Sequence, residues 1–157
     1  MEMHVRDAFS VLLTEAVQLA TVTQDGLLIQ HITDSSEEVK LVAVMRDGWS
    51  IRYIKNPSEE LQLAAVMHNW WSINYIKDPS EVVKLATVTK DGDAINYITD
   101  PSEALKLAAV TQNGGAIAFI KNPSEQIQLV AVTRCPDAIM YIPDPSEAVK
   151  RAALGNQ

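Results

Sequence analysis

Five prolines set the period of this chain. Pro57, Pro79, Pro101, Pro123 and Pro145 stand 22 residues apart, and each opens a Pro-Ser-Glu triplet. One interval earlier Ser35 precedes Ser36-Glu37, and one earlier still Leu13 precedes Thr14-Glu15. A period this strict is the signature of stacked supersecondary units, none of which buries its apolar face alone. With the proline position as slot 1, the unit reads P-S-E-x-V-K-L-A-A-V-T-x-D-G-x-A-I-x-Y-I-K-D. Repeats 13–34, 35–56, 57–78, 79–100, 101–122 and 123–144 are complete. Residues 1–12 are expected to form an amino cap and 145–157 a partial, capping repeat of one domain.

The unit divides into two helices. Slots 22 to 3 carry helix-start chemistry: Asp78 is expected to cap the first amides, Pro79 to fill the first helical position, and Glu81 to close a capping box. Asp100, Asn122 and Asp144 repeat the arrangement. Slots 5 to 10, as in Val83-Lys84-Leu85-Ala86-Thr87-Val88, are apolar at almost every position, as a helix buried between two neighbours requires. The helix should stop at Asp25-Gly26, Asp47-Gly48, Asp91-Gly92 and Asn113-Gly114, with glycine in the left-handed conformation. Slots 16 to 21, as in Ala94-Ile95-Asn96-Tyr97-Ile98-Thr99, place two isoleucines three apart, which predicts a second, short helix. A β-strand is the rival, since Ile and Tyr favour strands, but strict alternation fails here. At the amino end one longer helix is expected from Asp7 to Gln24. The fold class is therefore all-α: a solenoid of 22-residue repeats, each a longer helix plus a short helix, stacked into a superhelix.

Composition narrows the function classes. Hydrophobic residues make up 47% and charged residues 21%, which is globular usage. No run approaches the roughly 18 apolar residues of a membrane span, and the start carries no secretory pattern. The single cysteine, Cys135, fits a reducing compartment and a cytoplasmic location. A net charge of −7 argues against direct nucleic-acid binding. It leaves a protein partner or mimicry of nucleic acid. Fourteen of the 20 acidic residues have a capping or turn role, and the lysines of slot 6 (Lys40, Lys84, Lys106, Lys150) can pair with slot 3 glutamates.

Function should lie where units depart from the pattern. Repeat 35–56 carries Met45, Arg46, Trp49 and Arg52, and repeat 57–78 carries Met67, His68, Trp70, Trp71 and Asn74. All three tryptophans of the chain fall in these two turns. Trp, Met and Arg are enriched at the cores of protein interfaces, so these nine residues are the candidate partner-binding patch. Self-association through the same patch and simple local packing are the alternatives. The aromatic row of slot 19 (His31, Tyr53, Tyr75, Tyr97, Phe119, Tyr141) recurs with the repeat and is expected to be a core ladder with hydroxyls reaching the surface. His31 is read as a substitute within that ladder.

Catalysis finds little support. His4, His31 and His68 have no partners at metal-ligand spacing, and no phosphate-binding or metalloprotease motif is present. Cys135 lies in the aberrant turn Cys135-Pro136-Asp137 without a matched base. No metal or cofactor is expected.

The unit resembles a family of short α-repeat domains with the pattern L-A-A-V-x-x-N-G-x-A-I-x-Y-I-x-x-P-S-E. Leu107-Ala108-Ala109-Val110, Asn113-Gly114, Ala116-Ile117, Phe119-Ile120 and Pro123-Ser124-Glu125 carry the likeness, which covers about residues 13 to 154. Such repeats occur in phages, large DNA viruses and some bacteria, which implies a role against host machinery, defence systems included. The pairing of a longer and a very short helix is also similar to leucine-rich-variant and HEAT-like repeats, which implies a binding scaffold. The expectation is a non-enzymatic adaptor or inhibitor that binds a protein through the Trp/Met/Arg patch. An acidic nucleic-acid mimic acting on a host nuclease, and a self-assembling homo-oligomer, stand as alternatives.

Overall fold

A computed structural model describes residues 14–155. Every described element is helical, and the fold is an all-α repeat solenoid. The chain falls into two compact units, Met1–Pro79 and Ser80–Gln157. In the first, a helix over 14–24 (α1) is followed by the 3₁₀ helix Gly26–His31 (η1), α2 (Glu37–Arg46), η2 (Gly48–Tyr53), α3 (Glu59–His68) and η3 (Trp70–Tyr75). In the second, α4 (Glu81–Lys90), η4 (Gly92–Tyr97), α5 (Glu103–Gln112), η5 (Gly114–Phe119), α6 (Glu125–Arg134), η6 (Pro136–Tyr141) and α7 (Glu147–Leu154) follow. The expected amino cap, 1–12, and the start of the Asp7–Gln24 helix lie outside the described residues.

The two-helix reading of the unit holds, and the second helix is of the tight 3₁₀ kind. Its six residues make two turns at three residues per turn, so slots 17 and 20 stack on one line. Ile51 and Ile54 in η2 and the residue after it, and Ile95 and Ile98 in η4 and the residue after it, are buried on that line. The long helices bury slots 5, 9 and 10: Val39, Ala43 and Val44 in α2, Leu105, Ala109 and Val110 in α5. Buried apolar residues run from Val22 to Ile76 in the first unit, and in the second those from Val88 to Ala153 pack as one continuous core. The remaining long-helix face is apolar but open: Leu41, Leu63, Leu107 and Leu129 are half-buried and Leu85 is exposed.

The helix starts are built differently from the sequence expectation. The cap is the serine of slot 2, not the Asp or Asn of slot 22. Ser36, Ser58, Ser80, Ser102 and Ser146 accept from the amide three residues on, at 3.2–3.4 Å. The helix then opens at the slot 3 glutamate, so that glutamate sits in the first turn against the positive helix end and closes no capping box. Slot 22 has a different role. Asp34, Asn56, Asp78, Asp100, Asn122 and Asp144 all lie at φ between 47° and 52°. Asp and Asn tolerate this left-handed region better than other side-chain-bearing residues, and the reversal there turns the chain from the 3₁₀ helix into the next α-helix.

The turn glycines also differ from expectation, because no glycine among the described residues has positive φ. Their backbone is ordinary, and what they supply is room. A Cβ on Gly48 would stand 2.7 Å from the Ala65 carbonyl oxygen of the next repeat, and one on Gly114 would collide with the Ala131 carbonyl. Slot 14 is therefore glycine so that neighbouring repeats can approach, while the slot 13 side chain caps the short helix. Asp25, Asp47, Asn69, Asp91 and Asn113 each accept from the amide two residues on, at 2.9–3.1 Å.

Neighbouring repeats are also stitched by side chains. Ser102 donates its hydroxyl to Glu81 at 2.5 Å and Ser146 donates to Glu125 at 2.6 Å, so the slot 2 serine both caps its own helix and grips the repeat before it. The expected slot 3–slot 6 ion pairs form at Glu37–Lys40, Glu103–Lys106 and Glu147–Lys150 at 2.7–2.8 Å. The Glu81 carboxylate instead takes its hydrogen bond from Ser102.

Candidate binding surface on the tryptophan repeats

The 3₁₀ helix ends at slot 19, so its last side chain hangs past the small, buried residue of slot 16 and emerges at the rim. The aromatic row is consequently not the core ladder that sequence reasoning expected. Tyr53, Tyr75, Tyr97, Phe119 and Tyr141 are 37% to 53% exposed, and His31 in the same slot is exposed too. The short-helix segment contributes the isoleucines of slots 17 and 20 to the core, beside slots 5, 9 and 10 of the long helices. Each unit thus carries surface aromatics at repeat spacing.

In the first unit this row meets tryptophan and arginine side chains. The Trp49 ring lies 5.7 Å from the Tyr75 ring, tilted by 47°. The Arg52 guanidinium stands over two rings at once, 5.0 Å from the Tyr53 centroid and 5.4 Å from that of Tyr75. Such cation–π contacts add roughly 0.5–1 kcal/mol at exposed sites and hold the cation in place. Asn74 turns inward to the backbone, donating from Nδ2 to the Trp71 carbonyl at 3.0 Å. Trp70 and Trp71 meet edge to face at 5.2 Å. All three tryptophans are half-buried. They are platforms leaning on the repeat surface, with one side covered.

Five of the nine candidate residues fall on two surfaces. Trp49, Arg52 and Asn74 belong to the short-helix rim with Tyr53 and Tyr75. Met45 and Met67 are exposed at slot 11, at the far end of the long helices. In the second unit the same slot (Thr89, Thr111) lines an open groove of about 480 Å³ with Ala104, Leu107, Ala108 and Gln112, which assigns slot 11 to the apolar long-helix face. Arg46 and His68 are exposed at slot 12. His68 nonetheless links two repeats, since its Nδ1 accepts from the Gly48 amide of the preceding one at 3.2 Å. Gln112 does the same for Gly92 at 2.7 Å. Trp70 holds the slot that is glycine in four other repeats.

Tyr53 and Tyr75 were missed as surface residues because an aromatic in every repeat, beside a core isoleucine, reads as packing. The available signal was slot 18, where Arg52 departs from the Gln, Asn, Ala and Met of other repeats and stands beside the aromatic.

In the second unit the corresponding rim is a polar groove of about 560 Å³, lined by Asn96, Tyr97, Thr99, Phe119, Lys106 and Lys121 among others. Cys135 is half-buried and caps nothing: η6 has no side-chain bond at its start, where Asp and Asn serve elsewhere. Among the described residues no three His, Cys, Asp or Glu side chains gather as a metal site, and no helix is long and apolar enough to cross a membrane. No protein-family model, curated protein or solved structure matches the chain.

Proposed function

We propose that this chain is a non-catalytic adaptor or inhibitor, working in the cytoplasm, that holds a protein partner on the rim of repeats 35–56 and 57–78. The observation that carries the reading is the cluster of Trp49, Arg52, Tyr53 and Tyr75. Four large side chains of the types favoured at interface hot spots touch one another on the surface. Their mutual contacts fix rotamers in advance, which lowers the entropy cost of docking. At the slots of Trp49 and Arg52 other repeats carry Asp93, Gly115, Asn96 and Ala118, so folding alone does not demand those two residues, whereas the tyrosines recur with the repeat. The acidic-mimic alternative draws less support, because Glu37, Glu103 and Glu147 are already paired with lysines.

Capture from a lysate by the intact chain, beside a Trp49→Ser/Trp71→Ser double variant, tests this. The variant should retain its helical circular dichroism and lose about tenfold or more in affinity for the captured protein. Capture that is equal for both baits refutes the reading. Release of a nucleic-acid-binding protein from both baits by salt alone would favour the mimic instead.

A further inference from the structure

Arg52 is the starting point. It is exposed, it stands over two tyrosine rings, and among the described residues no carboxylate is paired with it. A guanidinium held over aromatic rings keeps its N–H donors for a carboxylate. The surroundings have the same sign. The rim segments 49–56 and 71–78 carry three cations, Arg52, Lys55 and Lys77, against one anion, Asp78, in a chain of net charge −7. The local excess of positive charge favours an acidic ligand at this rim.

Spacing specifies the ligand further. Equivalent residues of packed repeats lie about 8–10 Å apart, the distance between packed helices. A polyproline II strand advances about 9.3 Å in three residues, and it docks on exposed aromatic rings. Prolines three apart would rest on the parts of Tyr53 and Tyr75 that Arg52 and Trp49 leave exposed, and an acidic residue between them would reach Arg52. We infer that the Tyr53–Arg52–Tyr75 cluster is a docking site for an extended, proline-rich acidic segment of another protein. The inference rests on the partner-binding reading above and names the chemistry of that partner.

The test uses the full chain and a fluorescent peptide of four Pro-Asp-Ala triplets, followed by anisotropy at low salt. The peptide should bind. Arg52→Gln should weaken it about tenfold, as expected for loss of a charge-assisted pair. Replacing Asp by Asn in the peptide should cost the wild type clearly more than it costs Arg52→Gln, since Lys55 and Lys77 are present in both, a comparison that leaves the protein fold untouched. Replacing Pro by Gly should also weaken binding. The proposal is overturned if no triplet peptide binds, if the Asn or Gly peptides bind equally well, or if an oligothymidylate of matched length binds more tightly. If the peptides fail while Trp49→Ser/Trp71→Ser still loses its captured protein, the docking chemistry is wrong and the partner-binding reading stands. If capture is also indifferent to the tryptophans, both fall.

Discussion

Ser50 and Ser72 bury their hydroxyls with no hydrogen-bond partner among the described residues. Both hold slot 16, where Ala94, Ala116 and Ala138 are fully buried in later repeats. An unpartnered buried hydroxyl carries a desolvation cost of about 1–3 kcal/mol that alanine avoids. Ser50→Ala and Ser72→Ala should each stabilise the protein by about 1 kcal/mol. A lowered midpoint in thermal unfolding would show that the hydroxyls have a partner after all. Glu103 is a second residue whose surroundings set its chemistry. Its hydrogen bond from Lys106 holds its carboxyl below the ordinary carboxylate range, with the Lys106 charge and the Ser124 hydroxyl acting in the same direction and partial desolvation opposing them. With a depressed folded pKa, its small contribution to stability is present above the usual carboxylate pKa and is lost as pH falls through the lowered value. Titration followed by carboxyl-carbon NMR should give a midpoint for Glu103 below the usual range, and Lys106→Met should move it upward. An unchanged midpoint in that variant would remove Lys106 as the cause.

At the scale of elements, the unit is a relay of short-range devices. Slot 13 caps the 3₁₀ helix, slot 22 reverses the chain, and the slot 2 serine caps the next α-helix. The left-handed reversal is the most residue-selective of these. Asn122→Ala should cost about 1 kcal/mol or more, because a Cβ-bearing residue without a local hydrogen-bonding side chain resists positive φ. Asn122→Gly should be close to neutral in the same chemical denaturation experiment. Equal losses from both would indicate that the Asn122 side chain, not its backbone angle, is what matters. The helix-start chemistry of Asp-Pro-Ser-Glu was legible in the sequence as a boundary. Its assignment to particular residues was not, because Asp, Ser and Pro all have established places at helix starts. Backbone dihedrals decide between them. The glycines followed the same course: their position was plain, while their reason, the carbonyl of the next repeat, is a tertiary fact.

For the whole molecule, stability should follow the period. Within each compact unit a long helix packs on the next one and on the short helices beside it, so the energetic element is one repeat with its nearest neighbours. Deleting 101–122 rejoins Asp100 to Pro123 and preserves every slot relation. That variant should keep its helical signal per residue and unfold cooperatively at a lower temperature. Deleting 101–111 breaks the register, leaves η5 without its own α-helix, and should abolish the sharp transition. Indistinguishable melting of the two deletions would contradict the nearest-neighbour account. The sequence by itself determined the period, the helical class, the two-helix unit and the repeats that depart from it, because periodicity and turn chemistry are local and repeat in every unit. Tertiary structure alone decided which slots face outward. The aromatic row emerges at the rim because a 3₁₀ helix ends there, and Arg52 meets Tyr75 only because the next repeat stacks beside it. The second depends on how a neighbouring backbone is packed, and no pattern within one unit encodes that.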